Sequence, residues 1–429
     1  MLRRLLLLTI AMAPLAGGLS AQDPEEQLRE LQAQVDSLRR LDLERQLDEM
    51  RRDIAGRTRE GSDTWLELNG WVNFDLIYDF KRVDPTWEAT LRPSTIPTTP
   101  GQYGSDGKTI FSVRQTRVGL SGGMDTRIGP AKWWIELDFF ALGADAGRTA
   151  LELRHAWGEV GPLGFGWTWS NFIDIDTWPN VLDWWGPSAM ALNRNPQVRY
   201  TWALPTGRFA LAIENSNQSL TTGVLGETSP GFVDDIEAVG RIPDLTANYR
   251  HDWGDSHVQI AGVARQLSYE TVDEPDNEPK GSEFGWGLNL TAVLQTVDRD
   301  RFRGGIVYGH GIASFINDGG GVNLAPDPDG GALALPSLGL TAYYDHYWTD
   351  VLSTSLGASY NTHDNSSEQQ SFEIESVTYG STNLIWAPSS NFWAGAEFQL
   401  GRRLDISEID AFDYRIQFQV RYTFVEALR

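Results

Sequence analysis

The chain has 429 residues, 22% of them charged and 41% hydrophobic, with 43 Gly, 17 Trp and no Cys. That composition excludes a disordered tail and a disulfide-built scaffold. A formal charge of −23 argues against nucleic acid as a partner.

Residues 1–21 carry Arg3 and Arg4, an apolar run through Leu5 to Met12, and small residues ending at Ala21. This is the three-part layout of an export signal, and its interrupted run is shorter than the roughly 20 residues of a spanning helix. Removing it leaves 33 basic and 58 acidic residues, a charge of about −25. A chain without cysteine suits an oxidising compartment.

Within 22–56, Leu28, Leu31, Val35 and Leu38 form a helical seam that slips in phase and resumes at Leu43, Leu47, Met50 and Ile54. The segment is expected to be a short oligomerising coiled coil rather than a lone amphipathic helix, because nothing adjacent offers the seam a partner. Residues 57–64 form a polar linker.

From 65 to 424 the period becomes two. Leu66, Leu68, Val72, Phe74, Leu76 and Tyr78 alternate with Glu67, Asn69, Asn73, Asp75 and Asp79, and the pattern repeats in about sixteen segments. Links after odd-numbered segments include long Pro- and Asp-rich stretches: 81–108, 173–196, 216–242, 268–281 and 313–337. Those after even-numbered ones are mostly tight, although Gly123 to Pro130 looks long for a turn. Long loops on one rim and short turns on the other predict an all-β, antiparallel transmembrane β-barrel of about 16 strands in an outer membrane. Trp65, Phe80, Trp202, Trp386, Phe392, Tyr422 and Phe424 fall near strand ends, as interfacial girdles require. A soluble propeller or sandwich could not bury the polar stripes.

The last strand, Arg415 to Phe424, sets Ile416, Phe418, Val420, Tyr422 and Phe424 against Arg415, Gln417, Gln419, Arg421 and Thr423. Counting from Phe424 at the periplasmic rim puts Arg415 toward the outer mouth and Arg421 near the inner one. Residues 425–429 are left as a C-terminal extension.

Six scattered His lack zinc-ligand spacing, and no nucleophile elbow or phosphate-cradling loop occurs. No catalytic residue, cofactor or metal is expected. A pore is a site of another kind, set by its radius and lining charges. Arg117 and Arg154, near the middle of their strands, and the acids Glu136 and Asp138 on the same polar phase are its candidate lining. The link 173–196 holds Asp183, Trp184 and Trp185, with three tryptophans and two prolines between Asp174 and Ser188; a stiff loop of this kind either folds inward to narrow the lumen or packs on the rim.

The stretch Trp169-Ser170-Asn171-Phe172-Ile173-Asp174, the turn Trp185-Gly186-Pro187, the run Arg194-Asn195-Pro196-Gln197-Val198-Arg199-Tyr200-Thr201 and Pro243-Asp244-Leu245 resemble the DcaP-like trimeric porins of Gram-negative bacteria. The resemblance implies a homotrimer with a periplasmic coiled coil, set among bilayer lipid and lipopolysaccharide, taking up small organic anions such as dicarboxylates. It makes Arg154 and Arg199 the pore arginines, adds Asn171 to the pore set, and places Trp184 to Pro187 in the constricting loop. Trp167, the acidic charge and the residues after Phe424 depart from the family pattern. A structural or adhesive barrel with a plugged lumen is the rival reading, and conductance separates the two.

Overall fold

The computed structural model describes residues 64–221, 223, 236–272, 275–327, 331–366 and 369–428. The expected export signal, coiled coil and linker lie outside the described residues, apart from Thr64.

The strands are β1 (Thr64–Asp79), β2 (Lys108–Ser112, resumed as Arg117–Thr126), β3 (Gly129–Asp138), β4 (Glu152–Val160) and β5 (Leu163–Trp169). They continue with β6 (Arg194–Leu204), β7 (Gly207–Glu214), β8 (Ile236–Ala238, resumed as Asp244–Trp253), β9 (Ser256–Thr271) and β10 (Gly281–Gln295). The last six are β11 (Arg301–His310), β12 (Pro336–Tyr347), β13 (Leu352–His363), β14 (Ile374–Ser389), β15 (Phe392–Asp405) and β16 (Asp410–Leu428). Each pairs antiparallel with its neighbour in sequence, and β1 pairs with both β2 and β16, so the sheet closes. The seam runs from Leu66 opposite Leu428 to Asp79 opposite Arg415. Closure leaves no edge, which a sheet in hydrocarbon requires.

The alternation has the inverse sense of a soluble core. In β16 Phe418 is 51% exposed and Tyr422 55%, whereas Arg415 and Gln417 are 0%. Apolar side chains face out and polar ones line the lumen, where amide and charged partners satisfy one another. Aromatics gather at both rims. On the loop side Phe80 meets Tyr78 edge-on at 4.8 Å and stacks on Tyr414 at 5.1 Å. On the turn side Trp202 lies 5.4 Å from Phe209, and Trp386 lies 6.1 Å from Phe392.

The long link expected at Gly123 to Pro130 does not exist. β2 continues to Thr126 and β3 starts at Gly129, so only residues 127–128 turn the chain, with Thr126 Oγ1 donating to the Gly129 carbonyl at 2.6 Å. Glycine and proline there suggested a loop, yet the first residues of a strand at the rim accept both. The supposed C-terminal extension is likewise strand: Val425 to Leu428 pair with Asn69 to Leu66.

Candidate functional site

One wall of the barrel carries an arc of arginines. In the β3–β4 ladder Glu136 pairs with His155 and the next pair is Leu137 with Leu153, so Arg154 is the extra residue of a β-bulge. A bulge disrupts strict alternation and re-aims side chains. Here both Arg154 and His155 are buried. Arg154 donates from Nε to Glu136 at 3.0 Å and from Nη1 to Asp138 at 2.8 Å. Glu136 also takes Arg117 Nη1 at 3.1 Å.

Tryptophans extend the arc to either side. The Arg117 and Arg421 guanidiniums lie 4.1 and 4.6 Å from the Trp71 ring, and Arg421 is also 4.7 Å from Trp393. On the other flank Arg194 lies 5.0 Å and Arg154 5.9 Å from the Trp169 ring. Contacts thus pass from β16 through β1, β2, β3, β4 and β5 to β6. Indole faces suit the weakly hydrated guanidinium and restrict its plane.

The opposite wall is covered by the chain between β5 and β6. Its backbone passes one strand after another on the inner face. The Asn171 N–H donates to Glu214 of β7 at 2.7 Å, and its carbonyl accepts from Asn248 of β8 at 2.8 Å. The Phe172 carbonyl accepts from Asn289 of β10 and the Ile173 carbonyl from Gln259 of β9. Asn180 N–H reaches Asp345 of β12, and its side chain reaches Ser353 of β13. Glu397 of β15 accepts from the N–H groups of Leu182 and Asp183 at 2.8 and 3.1 Å, and the Leu182 carbonyl accepts from Gln115 and Gln419, both at 3.1 Å. The segment is therefore a belt on the inner wall; rim packing is ruled out.

The belt returns outward through tryptophans that face the arc. Trp184 stacks on Phe140 at 3.9 Å and donates its indole N–H to Asp138 at 3.1 Å. Trp185 donates to the Asn317 carbonyl, and the Arg92 guanidinium sits between Trp87 and Trp185 at 4.1 and 4.2 Å while pairing with Asp318 at 2.8 Å. Asp183 accepts from Thr90, the Leu91 N–H and Tyr379. Burial raises its carboxyl above the ordinary value in spite of those donors. Between belt and arc lies a cavity of about 720 Å³ whose lining includes Arg117, Arg154, Arg194 and Arg421 together with Glu136, Glu152 and Asp183.

Residues 46–424 match the profile of the DcaP outer membrane protein family. The chain belongs to that family. Its fold resembles the outer membrane channel DcaP of Acinetobacter baumannii, with a TM-score of 0.72 at 19% identity over 84% of this chain and 97% of that one. An anion-selective porin from Comamonas acidovorans gives 0.54 at 10% identity, covering 84% and 100%. The trimer form of OmpT from Vibrio cholerae gives 0.51 at 9%, covering 84% and 99%. Among curated proteins no relative matches the chain. This DcaP-family protein is an outer-membrane channel.

Of the residues expected to line a DcaP-like pore, Arg117, Arg154, Glu136, Asp183, Trp184 and Trp185 meet at the cavity, with Asp138 fully buried behind Arg154. Arg199 is not in that lining; it lies over Trp157 at 4.8 Å, further toward the turn side of β6. Asn171 is also outside it, fully buried as an anchor of the belt. Arg421, set near the inner mouth by counting from Phe424, belongs to the arc instead. β16 runs four residues past Phe424, which moves Arg421 toward mid-depth. Arg194 was hidden in the supposed end of the loop, because β6 begins at Arg194.

Asp174, Asp176 and His257 come close enough to suggest a cation site. Protein donors already occupy them: His257 and Thr291 each reach Asp174 Oδ2 at 2.8 Å, and Arg250 pairs with both acids. Burial opposes ionisation of Asp174, but these partners outweigh it and hold its carboxyl below the ordinary value.

Proposed function

We propose that this DcaP-family channel is a porin for passive diffusion of small hydrophilic solutes, with a preference for organic anions such as dicarboxylates. The observation that carries the reading is the arc: four arginines from β2, β4, β6 and β16 face one cavity across from the tryptophan-bearing belt. Guanidinium donors replace part of a carboxylate's hydration in a narrow lumen, while Glu136, Glu152 and Asp183 keep binding weak enough for release. The C. acidovorans porin with the same fold is described as anion-selective, which is in keeping with this reading.

The channel works as a homotrimer embedded among bilayer lipid and lipopolysaccharide. β5 has only seven residues, fewer than the roughly 9–11 a tilted strand needs to cross a bilayer. A neighbouring copy is the natural cover for that low stretch of wall. Planar-bilayer recording tests the whole reading. The expected record shows conductance in groups of three equal steps, a reversal potential on the anion side in a salt gradient, and current blocked by added succinate. Silent bilayers would favour a plugged anchor, and a cation-side potential without block would refute the carboxylate preference.

A further inference from the structure

We infer that Arg194 is the residue on which a carboxylate docks in the pore. The inference rests on the porin reading and assigns it a specificity-determining side chain. The four arginines of the arc are unequal in what they already hold. Arg117 and Arg154 share Glu136, and Arg154 takes Asp138 as well. Arg421 donates to the side-chain oxygens of Asn73, Gln115 and Gln419. Arg194 alone of the four makes no side-chain hydrogen bond or ion pair among the described residues; its Nη1 is enclosed without an acceptor, and its guanidinium lies against the Trp169 ring.

Nη1 is closed off from the lumen, so an incoming acceptor meets the other edge of the guanidinium, Nε and Nη2, which no protein acceptor among the described residues occupies. A carboxylate matches the guanidinium fork with two parallel N–H···O bonds, a geometry that a spherical halide cannot use. Trp169 holds the group in place: it pairs with Arg194 in the β5–β6 ladder, and its ring also meets His155 edge-on at 5.4 Å. The indole N–H of Trp167, in the same lining, is likewise enclosed without an acceptor. Arg117 Nε on β2 is enclosed in the same way, but that guanidinium already holds Glu136 through Nη1, whereas no atom of the Arg194 guanidinium holds a protein acceptor among the described residues.

Glu152 lines this side too and makes no ion pair among the described residues. It acts as the counterweight. Its charge lowers the affinity of Arg194 for an anion without neutralising it by contact, so a captured carboxylate leaves again.

The test uses the full-length protein in planar bilayers, with the current block by succinate and by benzoate measured against iodide at equal ionic strength. Arg194→Gln is expected to raise the half-blocking carboxylate concentration about tenfold, the effect of removing one charged hydrogen-bonding partner. Arg194→Lys keeps the charge and loses the fork; it should preserve the salt reversal potential and still weaken the block. Glu152→Gln should strengthen the block severalfold, an opposite sign that general distortion of the barrel does not produce. Equal block in wild type and Arg194→Gln would overturn the assignment. So would weaker block in both Arg194→Gln and Glu152→Gln, or iodide blocking as well as succinate. A wild-type channel that no carboxylate blocks overturns the porin preference itself and the assignment with it.

Discussion

Glu136 is the residue on which the arc balances, because one carboxylate holds Arg117 at 3.1 Å and Arg154 at 3.0 Å. Replacing it with Gln keeps its size and leaves both guanidiniums facing the lumen with one fewer negative charge. In a wet lumen a unit charge several ångströms from a permeating ion changes its energy by about 1 kcal/mol. Glu136→Gln is therefore expected to raise anion-over-cation permeability by about fivefold, read as a shift of reversal potential in a salt gradient. An unchanged potential would mean that the arginines of the arc do not control selectivity. Side-chain phase made Arg117, Glu136 and Asp138 legible from the sequence, since strict alternation assigns each to the polar face. Arg154 was legible in the same way, two residues after Glu152, but the bulge beyond it reverses the phase and turns His155 and Trp157 inward, which alternation cannot encode; Arg421 was misplaced by four residues of strand beyond an aromatic that looked terminal.

At the scale of elements, all sixteen strands were legible, because apolar residues at period two survive irregularities such as the break in β2 between Ser112 and Arg117. The belt was not. Three tryptophans and two prolines in one loop signalled stiffness, whereas its path is set by lumen side chains hundreds of positions away in sequence, such as Glu397 and Gln419. These make the next prediction. Glu397 accepts from the Leu182 and Asp183 N–H groups and from the amides of Asn383 and Gln399, and each lost bond to a charged acceptor costs about 1.5–3 kcal/mol. Glu397→Ala should loosen the tip of the belt by tenfold or more in occupancy. The measurement is open-channel current: noise and mean conductance should both rise, with the barrel's heat stability less affected. Quiet, unaltered current would show that the other anchors suffice.

For the whole molecule, the seam between β1 and β16 closes the barrel. Residues 425–428 extend that seam by four pairs, and opposite them the first residues of β1 also pair with β2. Removing 425–429 leaves Leu66 to Asn69 bonded on one side only. The truncated barrel is expected to lose its heat-resistant migration in detergent gels at a temperature several degrees lower, while its conductance stays the same, because the cavity lies well inside the seam. A truncated protein of full heat stability would return these residues to the status of a tail.

The belt also fixes an order of events. Its anchors are spread from β7 to β16, and its tip is held by side chains from β15, from β16 and, across the seam, from Gln115 in the break of β2. No partial sheet offers all of them at once, so the passage acquires its final bore only after the last strand has met the first. A barrel that fails to close remains wide and leaky, and narrowness is itself the sign of a finished assembly.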